Sequence, residues 1–233
     1  MRYFGGKSKT AKDIVEVLNK YRISNQEFHE PFVGGANIIS KMTGDRYGYD
    51  INEPLIELYK SLQNGYIPPS NVSKIEYDDI KNDRSKYPLE LVGFVGFACS
   101  FAGKYFGGYA SCKRGDNFAL NGKNSILKKA KLLSNVEFKY ADYRTLEFDN
   151  CLIYCDPPYN NTTGYSSGKF DSIEFWNIVR TWSKNNTVIV SEYNAPEDFD
   201  CIWSKDVKTE IRTKINGRED RIEKLFKLKE PII

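Results

Sequence analysis

Residues 151–159, Cys-Leu-Ile-Tyr-Cys-Asp-Pro-Pro-Tyr, constrain this chain more than any other segment. The short apolar run Cys151–Cys155 reads as a buried strand. Asp156 follows, then two prolines that fix φ and lack N–H groups. An acid, two ring-locked residues and an aromatic, Tyr159, thus sit just past the carboxyl end of a strand. Ligands bind at that place in open α/β sheets. Pro157 and Pro158 present carbonyls that can only accept hydrogen bonds. Together they form a stiff cup with an acceptor carboxylate, an acceptor carbonyl and a flat ring. Such a cup suits a planar ring that bears an exocyclic amine. A proline-rich turn that merely caps a strand is the bland alternative.

The rest of the chain places that strand in an α/β layer. Ser8–Lys20 reads as an amphipathic helix with Ala11, Ile14, Val15 and Leu18 on one face and Ser8 as N-cap. Glu27–Phe32 reads as a short strand ending at Gly34-Gly35, with Ala36–Met42 continuing as a helix. Arg46–Asp50 is a second strand and Glu53–Leu62 a second helix, the opening half of a parallel layer. Pro68-Pro69 breaks this pattern, and 65–135 reads as a mostly helical insertion around the glycine-rich basic loop Ala102–Gly122. Strand Val136–Tyr140, the strand at 151–155, helix 172–184 and strand Thr187–Ser191 resume the layer. Alternation from Val207 to Ile215, the turn pair Asn216-Gly217 and Arg221–Lys229 predict an antiparallel hairpin at the sheet edge.

Composition narrows the class. At 233 residues there is room for one α/β domain plus an insertion, and 40% hydrophobic with 14% aromatic content argues for a packed core. The five cysteines form no CxxC pair and His29 is the lone histidine, which removes a zinc ribbon and a disulfide framework. His29 has no metal-ligand partner at useful spacing and reads as a strand residue. A reducing cytosol is the simplest compartment. MRYFGGKSKT lacks an apolar core for a secretory signal, and Leu91–Gly103 is too short to span a bilayer. The glycines of that stretch point to a tightly packed internal helix. Net charge is only +3, yet residues 101–131 hold seven Lys/Arg against one acid and residues 203–229 hold nine against five. Two basic segments imply a local polyanion contact, most of all at 101–131 where aromatics interleave with the charge.

Two further features bear on a cofactor. Glu30-Pro-Phe-Val-Gly-Gly-Ala36 sets two glycines between strand and helix, where the backbone can turn sharply and a ligand can approach it. It is neither GxGxxG nor a lysine-bearing phosphate loop, so a pyrophosphate cofactor is disfavoured. Asp50 ends the next strand, where an acid can accept from both ribose hydroxyls or serve as a turn or cap residue. Asp142, after the strand at 136–140, carries the same two readings. Tyr3-Phe-Gly-Gly-Lys7 is a second aromatic-basic loop, functional or simply a frayed end.

Taken together and in order, these segments resemble the Dam-type (alpha-class) DNA adenine-N6 methyltransferases along the whole chain. Arg2-Tyr-Phe-Gly-Gly-Lys7 is similar to that family's N-terminal cofactor loop, and Glu30–Ala36 to its glycine motif. Tyr49-Asp50-Ile51-Asn52 resembles the ribose-binding segment, Asp142 the adenine-binding acid and Tyr154–Tyr159 the catalytic motif. The terminal hairpin, Arg212–Leu228, resembles the closing strands. Ala102-Gly-Lys-Tyr-Phe-Gly-Gly-Tyr109 departs from the bacterial pattern and looks more like bacteriophage relatives.

The resemblance implies a Rossmann-like α/β methyltransferase sheet with a C-terminal antiparallel hairpin, S-adenosylmethionine as methyl donor and double-stranded DNA as partner. It implies a catalytic domain of residues 1–54 and 136–233 and an inserted target-recognition region at 55–135. Tyr3, Lys7, Phe32, Gly34, Gly35, Asp50, Asp142 and Asp156 would line the cofactor pocket, and Asp156, Pro157, Pro158 and Tyr159 would carry catalysis on a flipped-out base. Arg2, Lys104, Tyr105, Tyr109, Lys113, Arg114 and Lys123 are the expected DNA contacts. No metal and no membrane are expected, and a monomer in a bacterial or phage-infected cytosol is, with a dimer as the alternative. Cytosine N4 as acceptor, or a DNA-binding module with a vestigial cofactor fold, are the rival readings; protein glutamine methylation would begin its motif with Asn.

Overall fold

The computed structural model describes residues 1–112, 114–158, 170–213 and 217–230, with strand residues 208–213 and 217–221 described through their backbone alone. Its sheet holds β1 (Phe28–Glu30), β2 (Arg46–Asp50), β3 (Val136–Tyr140), β4 (Leu152–Cys155), β5 (Thr187–Ser191), β6 (Phe199–Thr213) and β7 (Gly217–Leu228). Strand order is β3-β2-β1-β4-β5-β7-β6. The first five strands are parallel, and β7 enters antiparallel between β5 and β6. This is a Rossmann-like layer with an antiparallel C-terminal hairpin. The order reverses between β1 and β4, so the ligand crevice lies past their carboxyl ends.

Both faces of the central strands are covered, as a parallel sheet requires. Leu152 and Tyr154 of β4 join one core, and Ile153 and Cys155 join the other. The first core takes α1 (Ala11–Tyr21) and α2 (Glu53–Gln63); the second takes α6 (Ser172–Trp182). On α1 the residues Ala11, Ile14, Val17 and Leu18 are buried. Each of the larger three is worth roughly 1.5–3 kcal/mol of transfer free energy. Val15, expected on that face, is only partly buried.

Two local expectations fail for identifiable reasons. α1 begins at Ala11 rather than Ser8, and its N-cap Thr10 makes no side-chain cap bond. The preceding turn is fixed instead by Thr10 N–H donating to the Lys7 carbonyl at 3.1 Å, where Lys7 is itself buried. The helix expected over Ala36–Met42 shrinks to a single 3-10 turn, Ile39–Lys41. Ala36 sits at φ +50°, which no helix accommodates, and the Glu30 carboxylate takes the Ile39 N–H at 2.9 Å.

The segment between β2 and β3 is helical, as the sequence predicts. α2 packs on the sheet, with the Tyr59 ring stacked on Phe138 at 4.8 Å. Behind it lie α3 (Lys74–Asn82), α4 (Leu89–Ala98) and α5 (Phe118–Ala130). α3 starts on a full capping box, Ser73 with Glu76. α4 is the apolar internal helix: a Cβ at Gly93 would stand 2.1 Å from the Pro54 carbonyl oxygen of α2. Only glycine permits that approach.

Candidate active site

β4 is buried throughout and delivers Asp156 at its carboxyl end, with Pro157 buried and Pro158 half-buried behind it. The Asp156 carboxylate lies 2.7 Å from Lys7 Nζ, and the same ammonium lies 3.3 Å from Glu223 of β7. All three side chains are largely withdrawn from water, at 7% exposure for Lys7, 19% for Asp156 and 13% for Glu223. Burial opposes the charge on Lys7, but the Asp156 and Glu223 carboxylates outweigh it and lift its pKa above the ordinary lysine value. Ser191 Oγ, at the end of β5, donates to Glu223. Beside it Glu192 is pushed up to about 7, first by burial and then by the neighbouring Asp156 charge.

The N-terminal loop that supplies Lys7 is pinned on both sides. Phe4 N–H donates to the Gly103 carbonyl at 3.1 Å, and the Tyr3 ring stacks on Phe97 of α4 at 5.0 Å. Tyr3 also lies against the glycine turn: a Cβ on Gly34 would meet a Tyr3 ring carbon at 2.8 Å, and one on Gly35 would meet Tyr3 Cβ at 2.9 Å. Gly34 stands at φ +41°, which again favours glycine. Its carbonyl accepts from the Tyr59 hydroxyl at 2.6 Å.

Asp50 ties this turn to β2. One carboxylate oxygen takes the Gly34 N–H at 3.0 Å and the other the Asn52 N–H at 2.9 Å. Asn52, not Asp50, caps α2 by accepting from Leu55 N–H at 3.0 Å. Burial pushes Asp50 up to about 6, held back by the same backbone donors. Each carboxylate oxygen has two lone pairs, so turn duty leaves acceptor capacity for hydroxyl groups.

Past β3, Asp142 accepts from the Arg144 backbone N–H at 3.0 Å and from Arg144 Nε at 2.9 Å. The Arg144 side-chain bond, against a smaller effect of burial, holds the Asp142 carboxyl below its usual range. Tyr143 brings this corner against Phe32, their rings 5.0 Å apart, with Phe170 6.3 Å from Phe32. The residues expected to bind a cofactor therefore converge around the carboxyl ends of β1 to β4. Glycine turn, acidic acceptors and aromatic faces match a nucleoside bearing hydroxyls and an amine, so the donor set fits S-adenosylmethionine.

The expected DNA contacts are more dispersed. Arg2 is exposed, its guanidinium 5.3 Å from the Phe118 ring centroid at the start of α5. Tyr105 is half-buried against Phe97 at 4.8 Å, extending the ring contact from Tyr3 into the insertion. Tyr109 spends its hydroxyl on the Val72 carbonyl at 2.8 Å, and Lys123 Nζ reaches Ser70 Oγ at 2.8 Å. Lys104 is half-buried and Arg114 exposed. Tyr159 and Lys113 lie outside the described residues.

Several site residues escaped the sequence reading. Glu30 is buried beneath the turn, and burial above all lifts its carboxyl well beyond the usual range. Lys129 of α5 donates to the Gly35 carbonyl and, at 2.8 Å, to Asn37 Oδ1; burial pushes it down to about 8. Glu30 opens the glycine motif and was findable there. Glu192, Glu223 and Lys129 sit in no motif.

The chain is similar to several known proteins. A modification methylase of Streptococcus sanguinis, StsI, is 26% identical over 204 residues, covering 72% of this chain. The chain spans 30% of that methylase's length. Among solved structures, a Thermoplasma acidophilum protein aligns over 94% of this chain and 88% of its own, at TM-score 0.46 and 9% identity. A candidate RNA methyltransferase of Pyrococcus horikoshii aligns over 98% and 88%, at TM-score 0.46 and 9% identity. Residues 3–89, which include the Tyr3 loop, the glycine turn, Asp50 and Lys7, match the model of the D12 class N6 adenine-specific DNA methyltransferase family.

Proposed function

We propose that this chain methylates N6 of adenine in DNA, using S-adenosylmethionine. The observation that carries the reading is Asp156-Pro157-Pro158 at the carboxyl end of β4, beside the glycine turn after β1, where the strand order reverses. The match of residues 3–89 to an adenine-specific family supports the choice of acceptor.

An adenine inside a duplex hides its amine, so the base must be extruded at a cost of a few kcal/mol. Tyr159 stacks on the extruded ring and recovers about 1–3 kcal/mol of it. Asp156 accepts one N6 hydrogen bond and the Pro157 carbonyl accepts the other. This pairing turns the amine lone pair out of conjugation with the ring. When bound, S-adenosylmethionine supplies the electrophilic methyl group. Positive charge that builds on N6 during transfer is stabilised by the Asp156 carboxylate, whose orientation Lys7 fixes. No covalent enzyme intermediate is needed, and orientation supplies much of the rate. Asp50 would hold the ribose hydroxyls, Asp142 the cofactor's adenine amine, and Phe32 with Tyr143 its ring.

The basic segment at 101–131 engages DNA phosphates, with Lys104, Lys113, Arg114 and Lys123 as contacts and residues 55–135 as the target-recognition region. Its glycine-rich loop favours a bacteriophage-like member of the Dam-type subclass; a cytosolic monomer, with a dimer as the alternative, belongs to the same proposal. The test is to incubate the chain with labelled S-adenosylmethionine and plasmid DNA from a methylation-free host, then to separate the nucleosides. Label in N6-methyladenine is expected. Label in N4-methylcytosine would reassign the acceptor, and no label would refute the activity.

A further inference from the structure

We propose a zinc-class divalent metal site at the amino-terminal ends of β1 and β4, built by Glu27, His29 and Cys151. The ligand atoms offered by the carboxylate, the imidazole and the thiol all lie within 4.8 Å of one another. Topology brings them together. Phe28 pairs with Leu152 in the parallel β1–β4 ladder, so Glu27 and Cys151, one residue earlier on each strand, are neighbours. His29 is two residues beyond Glu27 and projects to the same face. Local spacing hides this arrangement, because Cys151 comes from a distant part of the chain.

Each ligand is oriented by a neighbour. The Tyr49 hydroxyl lies 3.1 Å from His29 Nδ1, and the Tyr47 hydroxyl donates to Glu27 Oε1 at 3.4 Å. A phenol can donate or accept. Tyr49 therefore serves both tautomers of His29. It donates to Nδ1 while Nε2–H reaches Glu27 Oε2 at 3.2 Å, or it accepts Nδ1–H and leaves the Nε2 lone pair for a metal. Outer contacts of this kind fix the ring of a ligating histidine. Tyr47 stacks on the His29 ring at 4.7 Å, and the Cys151 thiol donates to the Asp149 carbonyl at 3.1 Å, a bond that metal binding would replace. His29 and Cys151 are buried, whereas the Glu27 side chain is 47% exposed, which gives one open edge for entry and for a water ligand.

The chemistry favours zinc over a hard cation. A thiolate, an imidazole and one carboxylate form a mixed S, N, O set that suits a borderline-soft metal. Zinc bonds of about 2.0–2.3 Å give a tetrahedron with edges of roughly 3.5 Å. Glu27 Oε2 already lies 3.2 Å from His29 Nε2, so closing the cluster to that size asks for at most about 1 Å of movement, between this pair and the Cys151 thiol. On binding, the Cys151 proton leaves to solvent and a metal–sulfur bond forms. Cys151 is five residues from Asp156, roughly 16 Å along β4. The metal would thus staple the strand starts and take no part at the Asp156 site.

The full chain, stripped with a chelator, is titrated with Co²⁺ and then Zn²⁺. One equivalent of Co²⁺ should bind with a thiolate-to-cobalt charge-transfer absorption, and Zn²⁺ should displace it and raise the thermal midpoint. Cys151→Ser should abolish the absorption. Glu27→Gln, at an exposed position where folding is not at stake, and Tyr49→Phe should each weaken Zn²⁺ binding about tenfold or more. Cys112→Ser and Cys201→Ser alter exposed thiols elsewhere and should leave the absorption intact. The proposal is overturned by absence of the charge-transfer band, by a band that depends on Cys112 or Cys201, or by Zn²⁺ affinity unchanged in Glu27→Gln.

Discussion

Replacing Lys7 by Met removes the cation shared by two buried carboxylates and keeps most of the side-chain volume. At an effective dielectric of about 20, charges at 2.7 and 3.3 Å attract by roughly 5–6 kcal/mol each. Much of that offsets desolvation of the three groups. What remains measurable is the penalty of leaving Asp156 and Glu223 without a counter-charge, about 3–5 kcal/mol for a broken buried pair. For a domain of this size that lowers Tm by roughly 10 °C. Urea unfolding at neutral pH gives the free energy directly. Glu223→Gln supplies the second arm, since it removes one of the two stranded charges. The double variant Lys7→Met/Glu223→Gln should therefore be less damaged than the sum of the singles, with a coupling of about 1–3 kcal/mol. Additive losses, or Lys7→Met within about 1 kcal/mol of the parent, would show that the ammonium does not hold these carboxylates.

Asp156→Ala should abolish methyl transfer while DNA binding, read by gel shift, survives; transfer near the parent rate would remove Asp156 from the chemistry. Glu192 has a folded-state pKa raised from 4.5 to about 7, so its contribution to stability is complete below about 4.5 and disappears as pH rises through 7. Asp50 acts in the same direction, from 3.8 to about 6. The urea midpoint of the parent should thus fall more steeply over that window than that of Glu192→Gln, and parallel profiles would contradict the assignment. Gly93→Ala forces a Cβ to within 2.1 Å of the Pro54 carbonyl, so α2 and α4 must part. A loss of at least about 1–3 kcal/mol is expected, and an unchanged unfolding midpoint would mean that the helices separate freely.

The sheet was legible wherever one strand's own residues decide its state. β2 and β3 begin and end as the apolar pattern predicts, and β7 joins the edge antiparallel as the hairpin pattern requires. Legibility failed where a distant or side-chain partner intervenes. The residues 36–42 have helical composition, yet Glu30 reaches forward to take the Ile39 N–H, and Ala36 is held at positive φ by the turn. The start of α1 moved because Lys7 is drawn inward by groups from two other strands.

The same distinction separates what was readable in the site from what was not. Asp156, Asp50 and Gly34 announce themselves because each is fixed by its own strand end or turn, and short-range order is written in adjacent residues. The counter-charge system has no such signature. Lys7 comes from the N-terminal loop, Asp156 from β4 and Glu223 from β7, and only the insertion of β7 beside β5 brings Glu223 to Ser191 and to the ammonium. A hairpin that closes the sheet therefore also completes the electrostatics around Asp156. It follows that register between β5 and β7 matters to the site: a one-residue slip would turn Glu223 to the opposite face and leave Lys7 with Asp156 alone. Substitutions that weaken this pairing, at Leu225 or Phe226 for example, should then disturb methyl transfer without touching any residue that meets the substrate.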